Sequence, residues 1–295
     1  MLLEKHRPTA LARRLPLPWR SRRGDFSPLK AAALVLVLLP GLSMLSNWAG
    51  GAYGPMPVHG LLYWSGVWAT ALLLLALAVT PASRILDWRG LIAIRRMIGV
   101  AALAYTIFHV LTYFALDNWD LGQVAREMMA LSPNILAATL STLGLIVLGA
   151  TSFDAAIARM GAKAWRTLHR LVHLLALLAV IHFLLSRGIF PVQYLFAGML
   201  FWLVAWRGLD RLERGTDSIA LLALALASFL LTAFLEALWM WFHHGVRPGG
   251  TFAANFDLDS GLSSAWQILA LGLLAALAPR ARQSLISRMA PRGPL

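Results

Sequence analysis

The sequence predicts an all-α polytopic membrane protein of about eight transmembrane helices. Three observations carry this reading. Apolar residues fill 59% of the 295 positions and charged residues only 13%, against about a quarter charged in soluble domains. Apolar runs near the roughly 20 residues needed to cross about 30 Å of hydrocarbon recur along the whole chain. The short alternating segments of a membrane β-barrel are absent. The formal charge of +13 does not point to nucleic acid, because the cations lie between the apolar runs and on one side. The chain has no cysteine, which excludes disulfides, thiolate haem ligation and cysteine-bound iron–sulfur clusters, so any redox centre must use histidine or methionine.

Residues 1–29 form a basic arm, with Lys5, Arg7, Arg13, Arg14, Arg20, Arg22 and Arg23 among prolines. No short apolar region with a cleavage site follows, so it reads as a cytoplasmic arm and not a signal peptide. The first span covers about 29–47. The second covers about 58–79 and is expected to close at Thr80-Pro81, since helices commonly stop before proline. Spans three to six cover about 97–116, 134–151, 168–186 and 192–206. These make a six-helix core, residues 30–206. A charged connection, 207–217, leads to an extra hairpin within 218–278, with spans at about 218–242 and 262–277. A basic tail, 279–295, ends the chain. On alternate sides, 23 of the 26 Lys/Arg residues fall together, and only Arg126, Arg187 and Arg247 fall opposite. Positive residues concentrate in short cytoplasmic loops, so both termini are expected in the cytoplasm.

Ionisable residues inside a span are costly and mark functional positions or satisfied polar contacts. Spans three and five both run outward. His109 and His182 each lie roughly 18 to 20 Å from the cytoplasmic helix end at about 1.5 Å per residue. Two imidazoles at equal depth suit the two axial sides of a b-type haem; hydrogen bonding to neighbouring helices is the plainer alternative. His169 lies about 20 Å below His182 on the same helix, where a second redox centre or an electron donor would be met. An ideal helix sets the two about 140° apart, so a distortion is needed for both to face one axis. His173 forms a metal-binding pair with His169 or faces the wet surface. His59, at the outer end of span two, touches a haem propionate or faces the interface. In the hairpin, Glu236 precedes Trp239, Trp241, His243 and His244; an aromatic belt accounts for the tryptophans, and a metal or quinone site is the alternative. The run Asn255, Asp257, Asp259, Gly261 lacks the glutamate of a calcium loop, since Trp266 takes that position.

Three stretches carry a family resemblance: RRMIGVAALAYTIFHVLTYFALD (95–117), WRTLHRLVHLLALLAVIHFL (165–184) and VTPASR (79–84). The RRM-x-G opening, the H-x-x-x-Y pair at His109 and Tyr113, and W-x-x-L-H with a second histidine thirteen residues on are together fairly specific. The chain resembles the ferric reductase-like transmembrane family over about residues 30–206. Within it, the pattern is nearest the haem-binding membrane subunits of periplasmic methionine sulfoxide reductase systems. The resemblance implies a bacterial-type inner membrane, haem b as cofactor, and His109, His182 and His169 at the haem-ligand positions. Where relatives carry a lower histidine on the third span stands Arg95, suited to a haem propionate, a flavin phosphate or plain positive-inside anchoring.

No soluble flavin or nicotinamide domain and no G-x-G-x-x-G unit is present. The expected function is therefore that of an electron-transfer subunit of an oxidoreductase. A cytoplasmic flavin reductase or a membrane quinol is the donor, FMN or quinone a further cofactor, and a periplasmic redox protein the acceptor. Two alternatives stand beside it: a ferric or cupric reductase, and a non-catalytic subunit that docks on a larger membrane complex. Basic tails of this kind also meet anionic membrane lipid.

Overall fold

The computed structural model describes residues 17–21, 24–130, 132–186, 191–259 and 261–289. Most of the basic arm, Arg187 and the last residues of the tail lie outside them. Among the described residues, eight helical spans are long and apolar enough to cross a membrane, so the chain is an all-α, multi-pass membrane protein. The helices are α1 (Pro28–Ala49), α2 (Pro57–Ile85), α3 (Arg95–Leu116), α4 (Leu121–Met129), α5 (Pro133–Ala150), α6 (Asp154–Met160), α7 (Ala162–His169), α8 (Val172–Leu185), α9 (Val192–Arg211), α10 (Ser218–His244), α11 (Pro248–Ala254) and α12 (Ser264–Met289).

Helix α2 is the hub. Leu72, Leu73, Leu74 and Leu77 on it are all buried, and it meets α1, α3, α8, α9 and α12. Lipid offers no hydrophobic drive between helices, so close approach at small residues holds them together. Gly144 of α5 has no side chain where Leu175 of α8 packs, and Gly149 none where Leu103 of α3 packs. The α10–α12 pair closes in the same way at Gly272 and Ala225. The opposite face of α10 shows Leu222, Leu226, Leu230 and Phe234 exposed at i+4 spacing, the stripe expected of a lipid-facing surface.

Helix ends follow local chemistry. Asp217 caps α10 by accepting from Ile219 N at 2.9 Å. That bond, with the Arg214 guanidinium, holds its carboxyl below the usual carboxylate range. At the other end Gly245, at φ +67°, takes the left-handed position that glycine adopts without strain. There Val246 N bonds Met240 O and Gly245 N bonds Trp241 O, closing the last turn.

Two expectations change. Helix α2 does not stop at Val79 but runs through Pro81 to Ile85. Proline removes the bond that Leu77 O would accept; Arg207 Nη2 supplies it instead, at 3.2 Å. The fifth span is divided: Arg170 N bonds Thr167 O and Leu171 N bonds Leu168 O, a tight i+3 turn between α7 and α8. The connection after span three contains the short helix α4, whose Glu127 accepts a hydrogen bond from Tyr113 OH.

Candidate cofactor site between two helices

His109 and His182 come together. Their ring centroids are 6.3 Å apart with planes at 75°. The sequence places them 73 positions apart, and the packing of α3 and α8 around α2 and α5 closes that gap. His109 lies against α2 at Gly66, where a Cβ would stand 2.9 Å from Cε1 of the ring. Its Nδ1 is 2.9 Å from Leu62 O and 3.2 Å from Ser65 Oγ, and Ser65 Oγ itself donates to Leu62 O at 3.0 Å. His182 Nδ1 lies 3.2 Å from Asn134 O in the first turn of α5.

A carbonyl oxygen only accepts, so each Nδ1 carries the proton. Each Nε2 is then a lone pair, and among the described residues no hydrogen bond occupies it. This is the usual arrangement of metal-binding histidine, with the second nitrogen orienting the ring and fixing its tautomer. Two metal–nitrogen bonds of about 2 Å each, plus the reach from each ring nitrogen to its own centre, come to about 6 Å. The separation of the two rings therefore fits one metal atom held from both sides.

His169 is not part of this pair. It stacks on Trp165 at 4.1 Å and 28°, and its Nε2 meets Thr151 Oγ1 at 3.1 Å. Trp165 Nε1 donates to Thr151 O at 2.9 Å, so both rings fasten α7 to the C-terminal end of α5. The distortion required by the spacing is present: His182 meets α5 at Asn134, Leu175 meets it at Ser141 through a 3.0 Å bond, and His169 meets it at Thr151. All three lie on the α5-facing side because the tight turn at Arg170–Leu171 overwinds the path between α7 and α8.

Arg95 is half-buried and donates to Thr80 Oγ1 at 3.4 Å. His173 is half-buried, with Nδ1 2.9 Å from Arg170 O and Nε2 buried without a hydrogen-bond partner. His59 is exposed in the first turn of α2. Among the described residues no group of three or more His, Cys, Asp or Glu gathers as a metal site, which leaves no such cluster at Glu236. That carboxylate accepts from Asn255 Nδ2 at 3.0 Å. Trp239 stacks on His243 at 4.3 Å and donates from Nε1 to Leu184 O at 2.7 Å, binding the hairpin to the end of α8. Sequence reasoning missed Leu62, Ser65, Gly66 and Asn134. Three of these act through a backbone carbonyl or an absent side chain, for which no sequence signal exists.

Comparison with known proteins identifies relatives of this chain. The family of ferric reductase like transmembrane components matches residues 65–180, a segment that holds His109 and most of α8. The haem-binding subunit MsrQ of the protein-methionine-sulfoxide reductase of Azospira oryzae is 35% identical over 192 residues, covering 64% of this chain and 82% of that one. The MsrQ of Caulobacter vibrioides is 37% identical over 169 residues, 55% of this chain and 80% of its own. The magnetosome protein MamZ of Magnetospirillum gryphiswaldense is 34% identical over 171 residues, 56% of this chain but only 26% of that larger protein. No solved structure matches. With relatives of this identity matched over most of their length, the chain belongs to the MsrQ family of ferric reductase-like transmembrane proteins.

Proposed function

We propose that this protein is the haem b-containing electron-transfer subunit of a periplasmic methionine sulfoxide reductase system. The observation that carries the reading is the His109–His182 pair, with 6.3 Å between rings and both Nδ1 atoms tied to backbone carbonyls. When bound there, haem supplies one-electron chemistry at its iron. Leu62 O and Asn134 O keep each ring turned and each Nε2 unprotonated, so both imidazoles would be held ready for the iron.

The charge distribution supports cytoplasmic termini in a bacterial inner membrane. His169 and Arg95 then lie on the cytoplasmic side, where electrons arrive from a cytoplasmic flavin reductase, with FMN as the carrier, or from a membrane quinol. The acceptor is the periplasmic methionine sulfoxide reductase, the enzyme for which the MsrQ relatives are named.

The test is a reduced-minus-oxidised visible spectrum with haem quantification on the purified protein. A low-spin b-type spectrum is expected, lost in His109→Ala and in His182→Ala and kept in His59→Ala. Full haem content in both ligand variants overturns the assignment. Reoxidation by a methionine sulfoxide reductase and not by ferric or cupric ion separates this reading from a metal reductase.

A further inference from the structure

Away from the histidine pair, α9, α10 and α12 meet at one point. A Cβ on Gly198 of α9 would stand 2.1 Å from Thr232 Oγ1 of α10 and 3.1 Å from Ile268 Cγ1 of α12. Residues four apart share a helix face, so one turn nearer the end where α9 and α12 begin, these helices present Tyr194, Glu236 and Ser264 at one level. Direct contacts close this region. The Tyr194 ring meets the Trp239 ring edge-on at 5.9 Å, and Ser264 Oγ donates to Pro191 O at 2.6 Å. Asn255, just after α11, donates from Nδ2 to Glu236 Oε2 at 3.0 Å and to Thr251 O at 3.2 Å. Polar atoms are left over here. Gln193 is 0%, Tyr194 1% and Asn255 3% exposed, yet both ends of the Gln193 amide, the Tyr194 hydroxyl and Asn255 Oδ1 have no hydrogen-bond partner among the described residues. The Gln193 amide and the Tyr194 hydroxyl lie against each other without completing a hydrogen bond.

Thr251 O only accepts, so it fixes the Asn255 amide with its N–H toward Glu236 and leaves Oδ1 as an acceptor with no donor. Glu236 thus faces a donor, the surroundings of a carboxylate. It stands about 12 Å short of the end of α10 at His244, and among the described residues no cation pairs with it. An ionised group inside a span keeps a desolvation cost that one neutral hydrogen bond does not offset. A cation seated beside it offsets that cost. Asn255 Oδ1, Gln193 Oε1 and the Tyr194 hydroxyl are neutral oxygens of the kind that hard cations take as ligands, so no second acid and no histidine is needed. One carboxylate balances one positive charge, whereas a divalent ion would leave an excess charge in the span.

We propose that Glu236, Asn255, Gln193 and Tyr194 form a binding site for a small monovalent cation, sodium or potassium. Neither His109 nor His182 takes part, so this site stands or falls apart from the haem assignment. The test is the thermal midpoint of the full-length protein in detergent, at fixed ionic strength and mildly alkaline pH, with choline chloride replaced stepwise by sodium chloride or potassium chloride. A ion that binds only the folded state stabilises it by mass action. At least one of the two salts is expected to raise the midpoint by about 3 °C or more over choline. Glu236→Gln abolishes the rise, and His59→Ala keeps all of it. Asn255→Ala, which leaves the carboxylate in place, is expected to move the half-effective salt concentration upward about tenfold and carries the test if Glu236→Gln does not accumulate. No rise in wild type, or a rise with calcium chloride alone, overturns the proposal. So does an unchanged rise in either variant, which marks a general salt effect.

Discussion

Gly66 shows how much of the site rests on single atoms. With hydrogen in place of a methyl group, α2 lies directly against the His109 ring; a Cβ there would stand 2.9 Å from Cε1 and 3.1 Å from Nδ1. The ring would have to swing away from Leu62 O and lose the bond that fixes its tautomer. Gly66→Ala is therefore expected to reduce haem affinity by about tenfold or more, the range seen when a ligand's orienting partner is lost. The haem-to-protein ratio at limiting haem measures this. Gly99→Ala is the control, since a Cβ there meets nothing within 4 Å. Equal haem content in the two variants sinks the argument. At this scale His109 and His182 were legible, because ionisable side chains stand out in an apolar run. Their partners were not, because Leu62 and Asn134 act through carbonyl oxygens that every residue possesses.

At the scale of elements, α2 and the α7–α8 segment both depart from regular helix, and each departure has a partner. Pro81 leaves Leu77 O without its i+4 donor, and Arg207 donates to it from α9 at 3.2 Å. The two residues should be energetically coupled. While Pro81 is in place, Arg207→Gln leaves that carbonyl without a partner; once Pro81→Ala restores a backbone N–H, the carbonyl is satisfied with or without the arginine. The coupling is expected to be about 1 kcal/mol, read from thermal or denaturant unfolding of the four proteins of a double-mutant cycle. A coupling near zero would falsify the account. The proline was visible in the sequence but pointed to a helix end, because the rule for isolated helices takes no account of a donor arriving from elsewhere. The need for a distortion between His169 and His182 was likewise readable from their thirteen-residue spacing. Its location at Arg170–Leu171 was not, since both residues are ordinary helix formers.

At the scale of the molecule, the hairpin α10–α12 leans on the core through α9. Trp239 Nε1 donates to Leu184 O at 2.7 Å and Ser264 Oγ to Pro191 O at 2.6 Å. Trp206, buried on α9, donates to Gly215 O at 2.9 Å. None of the residues bonded to the His109–His182 pair belongs to the hairpin. A chain truncated after Gly215 is thus expected to keep its haem spectrum while its thermal midpoint in detergent falls by about 5 °C or more. Haem loss from a truncated chain that still inserts would show that the hairpin completes the site.

The sequence by itself determined that this chain spans a membrane as a series of apolar helices, because length and hydropathy decide what can cross a bilayer whatever surrounds it. It also narrowed the candidates for metal binding, because cysteine is absent and few histidines fall inside the apolar runs. Only the tertiary structure decided that α2 is the hub, that His109 and His182 face each other at 6.3 Å while His169 holds to Thr151, and that Arg95 and Arg207 both reach the same part of α2, at Thr80 and at Leu77 O. Rotation of each helix about its axis decides such meetings. In lipid that rotation is set by close packing at small residues and by single hydrogen bonds, not by an apolar stripe that can be read along the chain.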